Sequence, residues 1–306
     1  MMAIQYSILA DRGVVEISGE EARSFLQGMI SNDIDKLTPG EALYAAFLTP
    51  QGKYLFDFFI VEQDGALFFD VEAARRDELI KRFTLYRLRA KVAFADRTDD
   101  LAVAAIWGND TAAALGLDPA PGTAKALADG RIYIDPRLAA AGARTILPAA
   151  TLSATLDDSG ATAASPGEYD HHRLALGLPD GSRDLIVEKS LLLESGFDEL
   201  HGVDFEKGCY VGQELTARTK FRGLVRKRLL RVNVEGSTPK PGTPVMAGDV
   251  ELGEMRSARD GVGLALLRLD RLASAEADGA AIQVDGAALT PVTPDWAVLP
   301  KIDKSA

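Results

Sequence analysis

Runs of apolar residues, some continuous and some alternating with polar ones, fill the first hundred positions. Tyr6-Ser7-Ile8-Leu9 and Val14-Val15-Glu16-Ile17 flank the turn Asp11-Arg12-Gly13 and predict a strand pair. Ser18-Gly19-Glu20-Glu21 then opens a helix, because Ala22, Phe25, Leu26 and Met29 recur at helical spacing. Strands follow over 43–48, 54–61 and 66–71, parted by Pro50-Gln51-Gly52 and Gln63-Asp64-Gly65. A helix over 73–88 carries Leu79, Phe83 and Tyr86 on one side, and further strands fall at 91–95 and 101–107. This order predicts an α+β fold in layers, with helices on one face of antiparallel sheet.

Beyond that point the pattern thins. Residues 109–165 are rich in Ala, Gly and Pro and show little chemistry, apart from a strand at Arg131-Ile132-Tyr133-Ile134. The stretch 153–167 reads as an exposed connection. A short helix over 169–176 ends near Gly177, before the turn signal Pro179-Asp180-Gly181. Residues 208–212 read as a loop, and 213–221 has helix-compatible composition. After Gly223 the style changes to short strands separated by Gly and Pro, which predicts a small all-β unit. The boundary is placed near 222–226, dividing the chain into an α+β region, 1–222, and a C-terminal β-barrel, 223–306.

Composition narrows the class. With 306 residues, 47% hydrophobic and 26% charged, the chain can bury a sizeable core in two or three compact units. No apolar run is long enough to span a bilayer. Met1-Met2-Ala3-Ile4-Gln5 lacks the basic and apolar regions of a secretory signal. One cysteine cannot close an intramolecular disulfide, so a reducing compartment and a cytoplasmic protein are expected. A net charge of −11 argues against bulk binding of nucleic acid or anionic membrane. Locally the balance reverses: Arg218, Lys220, Arg222, Arg226, Lys227, Arg228 and Arg231 lie within a short stretch. They form either a solvated face beside a strand or a wall for an anionic ligand.

The lone cysteine stands in Lys207-Gly208-Cys209-Tyr210-Val211-Gly212-Gln213-Glu214. A free cysteine is commonly a small buried hydrophobe. Here the flanking glycines permit close approach of a ligand or unusual dihedrals. A helix start just after Cys209, together with Lys207, would favour the thiolate. Only three histidines are present, His171, His172 and His201, so neither a zinc site nor a His–Cys dyad is expected. Neither a Gly-rich phosphate loop nor a Gly-x-Ser-x-Gly elbow occurs. Asp57 lies in an aromatic strand, facing either outward or into a pocket with flat apolar walls. Glu194 and Asp198 read as solvated, and Glu214 with Arg218 as a plain i,i+4 ion pair.

The cysteine run, with Ala217-Arg218-Thr219-Lys220-Phe221-Arg222-Gly223 after it, resembles the YgfZ-type folate-binding proteins. These are bacterial relatives of a mitochondrial iron–sulfur cluster assembly factor, within the superfamily of the glycine-cleavage T-protein, an aminomethyltransferase. Ile17-Ser18-Gly19-Glu20-Glu21-Ala22-Arg23-Ser24-Phe25-Leu26-Gln27-Gly28, Asn32-Asp33 and Pro50-Gln51-Gly52-Lys53 are similar as well. The likeness runs from about 14 to 270 and is thinnest in the alanine-rich middle.

This resemblance implies a three-domain ring: two interleaved ferredoxin-like α+β domains, closed by a small β-barrel, with tetrahydrofolate in the central channel. The implied role is assembly or maintenance of [4Fe–4S] proteins, including radical enzymes that modify tRNA. The implied partners are iron–sulfur client or assembly proteins. Cys209 would be the working thiol and Lys207, Tyr210, Gln213 and Glu214 would shape its site. Arg218, Lys220 and Arg222 would meet the folate glutamate tail or a partner.

One departure bears on the chemistry. The T-protein carries adjacent aspartates after its glycine turn, where this chain has Phe56-Asp57, and it lacks the cysteine run. Both differences argue against ordinary aminomethyl transfer. If a one-carbon transferase is nevertheless present, Asp57 would be the acid or charge stabiliser for the folate amine. A folate-binding scaffold without chemistry is the third reading.

Overall fold

The computed structural model describes residues 4–223 and 225–300. Met1-Met2-Ala3, on which the reading of the leader falls, and Leu224, inside the expected domain boundary, lie outside the described residues. The chain divides into two compact units. The first comprises residues 1–50, 55–169 and 200–213, and the second residues 51–54, 170–199 and 214–306.

The first unit is built on β1 (Gln5–Ile8), β2 (Arg12–Ser18), β3 (Ala42–Leu48), β4 (Tyr54–Gln63), β5 (Ala66–Glu72), β6 (Ala93–Asp96), β7 (Leu101–Trp107), β8 (Ala124–Leu127), β9 (Gly130–Ile134), β10 (Ala143–Pro148) and β11 (Thr162–Ala163). They form two sheets, in the orders β3-β4-β5-β2-β6 and β11-β1-β7-β10-β9-β8. The strand pair expected at the N-terminus is therefore not a hairpin. β1 pairs with β7 and β11, whereas β2 pairs with β5 and β6. Leu9 donates its N–H to Val103, and Ala73 donates to Asp11, so the intervening turn passes from one sheet to the other.

Strand periodicity sorts the aromatic side chains of β4 between two faces. Phe56 and Phe58 join the cluster around Phe83 of the helix Arg76–Arg87. Phe83 lies 5.1 Å from Phe47 and 6.5 Å from Phe58, and Phe47 stacks on Phe56 at 6.3 Å. Asp57 and Phe59 take the opposite face, toward the second sheet. There Phe59 lies 5.0 Å from Tyr44 and 6.5 Å from Tyr133 of β9. The stretch 153–167 is not a plain exposed connection. It holds the helix Leu152–Asp158, whose Leu152 and Leu156 are fully buried in the second sheet's core, and the short β11.

In the second unit β12 (Lys227–Glu235), β13 (Pro244–Ala247), β14 (Val250–Arg259), β15 (Val262–Arg268), β16 (Ile282–Val284) and β17 (Ala287–Val292) close a barrel in the order β12-β15-β14-β13-β16-β17. Inward residues such as Val232, Leu252, Met255, Leu267 and Val284 fill it. Closure removes the free strand edges that short strands would otherwise expose. The pairing of β14 with β15 shifts register between Met255 and Ala258. At that irregularity Ser257 offers its N–H and hydroxyl to the Asp184 carboxylate, at 3.0 and 2.5 Å. Asp184 also takes the Arg173 guanidinium at 2.7 Å, which ties the segment before the barrel to the barrel wall. The α+β class with a C-terminal β-barrel is as expected.

Candidate functional site

The loop 200–213 carries the cysteine and is fastened to residues 28–36 of the same unit. Ser31 donates its hydroxyl to Gly202 O at 2.6 Å and accepts the Ala46 N–H at 2.8 Å. Asn32 donates its amide to the carbonyls of Tyr44 and His201, both at 2.8 Å. Asp204 donates its N–H to Ser31 O, and its carboxylate accepts the N–H groups of Glu206 and Lys207. Val211 donates its N–H to Gly28 O at 3.1 Å. Two runs far apart in sequence, 27–33 and 207–213, are thus parts of one construction.

Lys207 is 7% exposed and turns inward. Its ammonium donates to Ile30 O at 2.7 Å and Asn32 O at 2.6 Å, and lies 5.2 Å from the centre of the Tyr210 ring. Burial pushes its pKa down to about 8, against the opposing charges of Asp33, Asp204 and Asp35. Lys207 therefore acts as a bolt between the two runs, and its Nζ is engaged with carbonyls and a ring face.

Tyr210 is buried beside it, while Cys209 between them is exposed. The thiol has no hydrogen-bond partner among the described residues. Gly212 adopts φ 84°, a conformation that favours glycine, whereas a Cβ on Gly208 would meet nothing within 4 Å.

The helix Gln213–Phe221 begins four positions beyond the cysteine. Gln213 belongs to the first unit, its N–H donating to Tyr210 O at 3.2 Å. Glu214, Arg218 and Arg222 belong to the second unit and are exposed. The expected Glu214–Arg218 ion pair is not formed, and both residues are exposed. The basic stretch is not one surface either. Lys220 pairs with Asp198, which is thereby not merely solvated. Arg228 is buried, bonding Leu193 O at 3.0 Å and Glu199 at 2.5 Å. Arg218 and Arg222 remain without an ion pair among the described residues.

Asp57 is 6% exposed and accepts the Tyr44 hydroxyl at 2.8 Å. Around it lies a paired layer between the two sheets. Asp70 receives Arg12 at 2.6 Å and Arg144 at 2.5 Å, and Asp135 receives Arg137 at 2.8 Å. Arg144 and Arg137 also sit over the Phe59 ring, at 4.1 and 4.8 Å. Burial and the nearby Asp57 carboxylate hold the Tyr44 phenol protonated well past its ordinary range. Phe56, by contrast, faces the helix, with Arg75 over its ring at 4.2 Å. An acid there would not share Asp57's surroundings.

Sequence reading missed Arg137, Asp135 and Arg144, because they stand in the stretch that reads as bland. It also misjudged Glu194. Burial raises that carboxyl's pKa, opposed by Lys227, Lys53 and Arg256 of the same unit. Among the described residues no group of three or more His, Cys, Asp or Glu side chains is placed to hold a metal ion. None of the described helices is long and apolar enough to cross a membrane.

The fold is that of the glycine-cleavage T-protein class. Residues 9–117 match the GCVT N-terminal domain family, and residues 226–299 match the family described as CAF17, C-terminal beta-barrel domain. The solved aminomethyltransferase T of the glycine cleavage system from Bartonella henselae superposes with a TM-score of 0.76 at 14% identity. That superposition covers 96% of this chain and 86% of that one, a likeness of fold.

The chain belongs to the iron–sulfur cluster assembly factor IBA57 family. It is 32% identical to the human mitochondrial protein over 317 residues, covering 94% of this chain and 84% of that one. It is 37% identical to the Mycosarcoma maydis homolog and 35% to that of Neurospora crassa, each over 76% of this chain. It spans only 58% and 54% of those two fungal relatives. All three relatives are named mitochondrial, which overturns the expectation of a cytoplasmic protein. An unpaired cysteine indicates a reducing compartment, and that property does not single out the cytosol.

Proposed function

We propose that the chain is a tetrahydrofolate-binding accessory factor in the assembly or maintenance of [4Fe–4S] proteins. Radical enzymes that modify tRNA are among the clients in this reading. Cys209 is its working thiol, and Lys207, Tyr210 and Gln213 set the loop that presents it. The observation that carries the reading is the contrast within three residues: Lys207 and Tyr210 are buried, and Cys209 between them is exposed. A cysteine kept for packing would be turned in with its neighbours. An exposed thiol on a fastened loop suits transient contact with a cluster or client, the cluster being cargo.

The residues fit a folate by their chemistry. Asp57 is a buried carboxylate beside the flat rings of Tyr44 and Phe59, a setting for a hydrogen-bonding heterocycle. Arg218 and Arg222, which belong to the second unit, are exposed guanidinium groups of the kind that take carboxylates. Tetrahydrofolate, when bound, supplies reduced-pterin nitrogens able to carry a one-carbon unit.

Replacing Cys209 with Ala should leave the fold and tetrahydrofolate binding intact and abolish rescue of an iron–sulfur enzyme defect in cells lacking the factor. Full rescue would remove the thiol from the mechanism. Asp57→Asn should weaken tetrahydrofolate binding by at least about tenfold in calorimetry, the scale of one charge-assisted hydrogen bond. Asp57, a buried carboxylate beside flat rings, also keeps an aminomethyl-transferase reading open to test. Formation of methylene-tetrahydrofolate from an aminomethyl donor would support it, and no product at high protein concentration would end it.

A further inference from the structure

The helix Arg76–Arg87 buries Leu79 and Phe83 against its sheet and leaves apolar side chains outside at its last turn. Leu85 is 70% exposed and Leu88, which closes the helix, is 87% exposed, with Tyr86 between them at 41%. Lys81 and Thr84, also exposed, stand four and one positions before Leu85, so helical spacing puts Lys81 on the same face. We propose that this knob docks on a partner protein whose surface offers an apolar pocket rimmed by Asp and Glu. The knob shares no residue with the Cys209 loop or with the surroundings of Asp57, so the proposal goes beyond the function given above.

Leu88 carries the argument. Its φ is 50° and its ψ −106°, an outlier for a bulky side chain. Glycine is the residue that ordinarily ends a helix where φ is positive. Among the described residues, the other non-glycine positions with positive φ are Asp, Glu, His or Ala, and Leu88 alone is branched and aliphatic. The backbone beside it is held firmly. Arg87 donates to Val92 O at 3.1 Å, Ala90 donates its N–H to Arg87 O at 2.9 Å, and Lys91 donates its N–H to the Glu21 carboxylate at 2.7 Å. The fold therefore fixes a leucine in a strained conformation and buries almost none of it. Strain that the surrounding structure over-determines is a mark of a functional position. A rigid apolar anchor also loses little freedom when it binds.

Charge selects the partner. Residues 81–91 hold Lys81, Arg82, Arg87, Arg89 and Lys91 and no acid, in a chain of net charge −11, so the remainder carries −16. Arg82 pairs with Glu78 and Lys91 with Glu20. Lys81 and Arg89 are exposed and have no ion pair among the described residues. A second copy docked through the same knob would set basic groups against basic groups. An anionic bilayer is an extended plane and would meet the acidic remainder of the surface as well. A protein with a local acidic rim answers the two free cations, and its apolar pocket takes the leucines.

Photo-crosslinking on the full chain in living cells reads this docking directly. Thr84→p-benzoylphenylalanine puts the crosslinker beside Leu85, at a residue whose hydroxyl bonds only Ile80 O of its own helix. One discrete protein adduct is expected, with a contact segment, mapped by mass spectrometry, that is apolar and flanked by Asp or Glu. In that background Leu88→Gly should cut the adduct at least about fivefold, the scale of losing an anchor residue. Lys81→Ser combined with Arg89→Ser should cut it as well. Leu88→Gly should at the same time keep or raise the urea midpoint, because glycine accepts the backbone that leucine resists. A lower midpoint would mark Leu88 as structural and overturn the proposal. So would the absence of a discrete adduct, adducts with lipid or with a second copy, a contact segment without acids, or a yield unmoved by Leu88→Gly.

Discussion

The Cys209 loop and the Asp57 layer belong to one unit and hold the thiol and the carboxylate by opposite means. Around Asp57 the support is side chain on side chain: three carboxyl groups, Asp57, Asp70 and Asp135, alternate with Arg12, Arg137 and Arg144 in the interior. Around Cys209 the support is mostly backbone carbonyls and N–H groups, drawn together by Ser31, Asn32, Asp204 and Lys207. The first arrangement protects a group from water. The second leaves one side chain free while fixing everything beside it. Under the proposed function, the former suits a ligand-binding carboxylate and the latter a thiol that meets a large partner.

This contrast can be broken from either side. The largest effect is expected at Asp70. Asp70→Ala leaves Arg12 and Arg144 buried without their shared carboxylate, and should cost about 3–5 kcal/mol in urea unfolding. A loss under about 1 kcal/mol would mean that the layer is not held by charge.

Lys207→Met should cost about 2 kcal/mol, the worth of its bonds to Ile30 and Asn32. It should also make the Cys209 loop readily cut by protease. Its pH signature has a definite sign. Below about pH 8 the amine is charged in both the folded and unfolded states. Between about 8 and the ordinary value of 10.5, the unfolded chain keeps a proton that the folded chain has lost. Stability contributed at this site therefore rises with pH through that window. Urea midpoints at pH 7.5 and 9.5 should show that increment in wild type relative to Lys207→Met, and an equal pH response in the two proteins would contradict the buried amine.

Tyr44→Phe removes one bond to Asp57 and should cost about 1 kcal/mol, with tetrahydrofolate affinity falling alongside. Unaltered affinity would separate Asp57's ligand role from its hydrogen bond. Cys209→Ser should change stability by less than about 0.5 kcal/mol, as surface substitutions do, since the thiol makes no bond in the fold. A larger loss would mark the cysteine as structural.

Much of the first unit was legible because strand periodicity is a local signal. The strands at 42–48, 54–63, 66–72 and 101–107 lie where alternation and turn residues place them. The sheet partners were not legible. β1 and β2 look like a hairpin, yet each takes its partner from strands about 50 to 100 residues further along the chain. The run around Cys209 was recognisable as special, and Lys207 and Tyr210 do flank the thiol. What Lys207 does was hidden, because its acceptors are carbonyls at residues 30 and 32, and any residue supplies a carbonyl. Arg137 and Arg144 were hidden by their setting among alanines, and Arg228 by six other basic residues nearby. Burial distinguishes these arginines, and burial is decided by the tertiary fold.

Gly208 differs from its counterpart across the thiol. Gly212 needs its glycine for the backbone, but Gly208 has open space where a side chain would be. A graded series at this one position, Ala, Val, then Trp, should leave the folded chain untouched while progressively narrowing the lane to the sulfur. The size at which rescue of the iron–sulfur defect fails then measures the clearance of whatever comes to meet Cys209. The position works as a caliper for the visitor, read without isolating it.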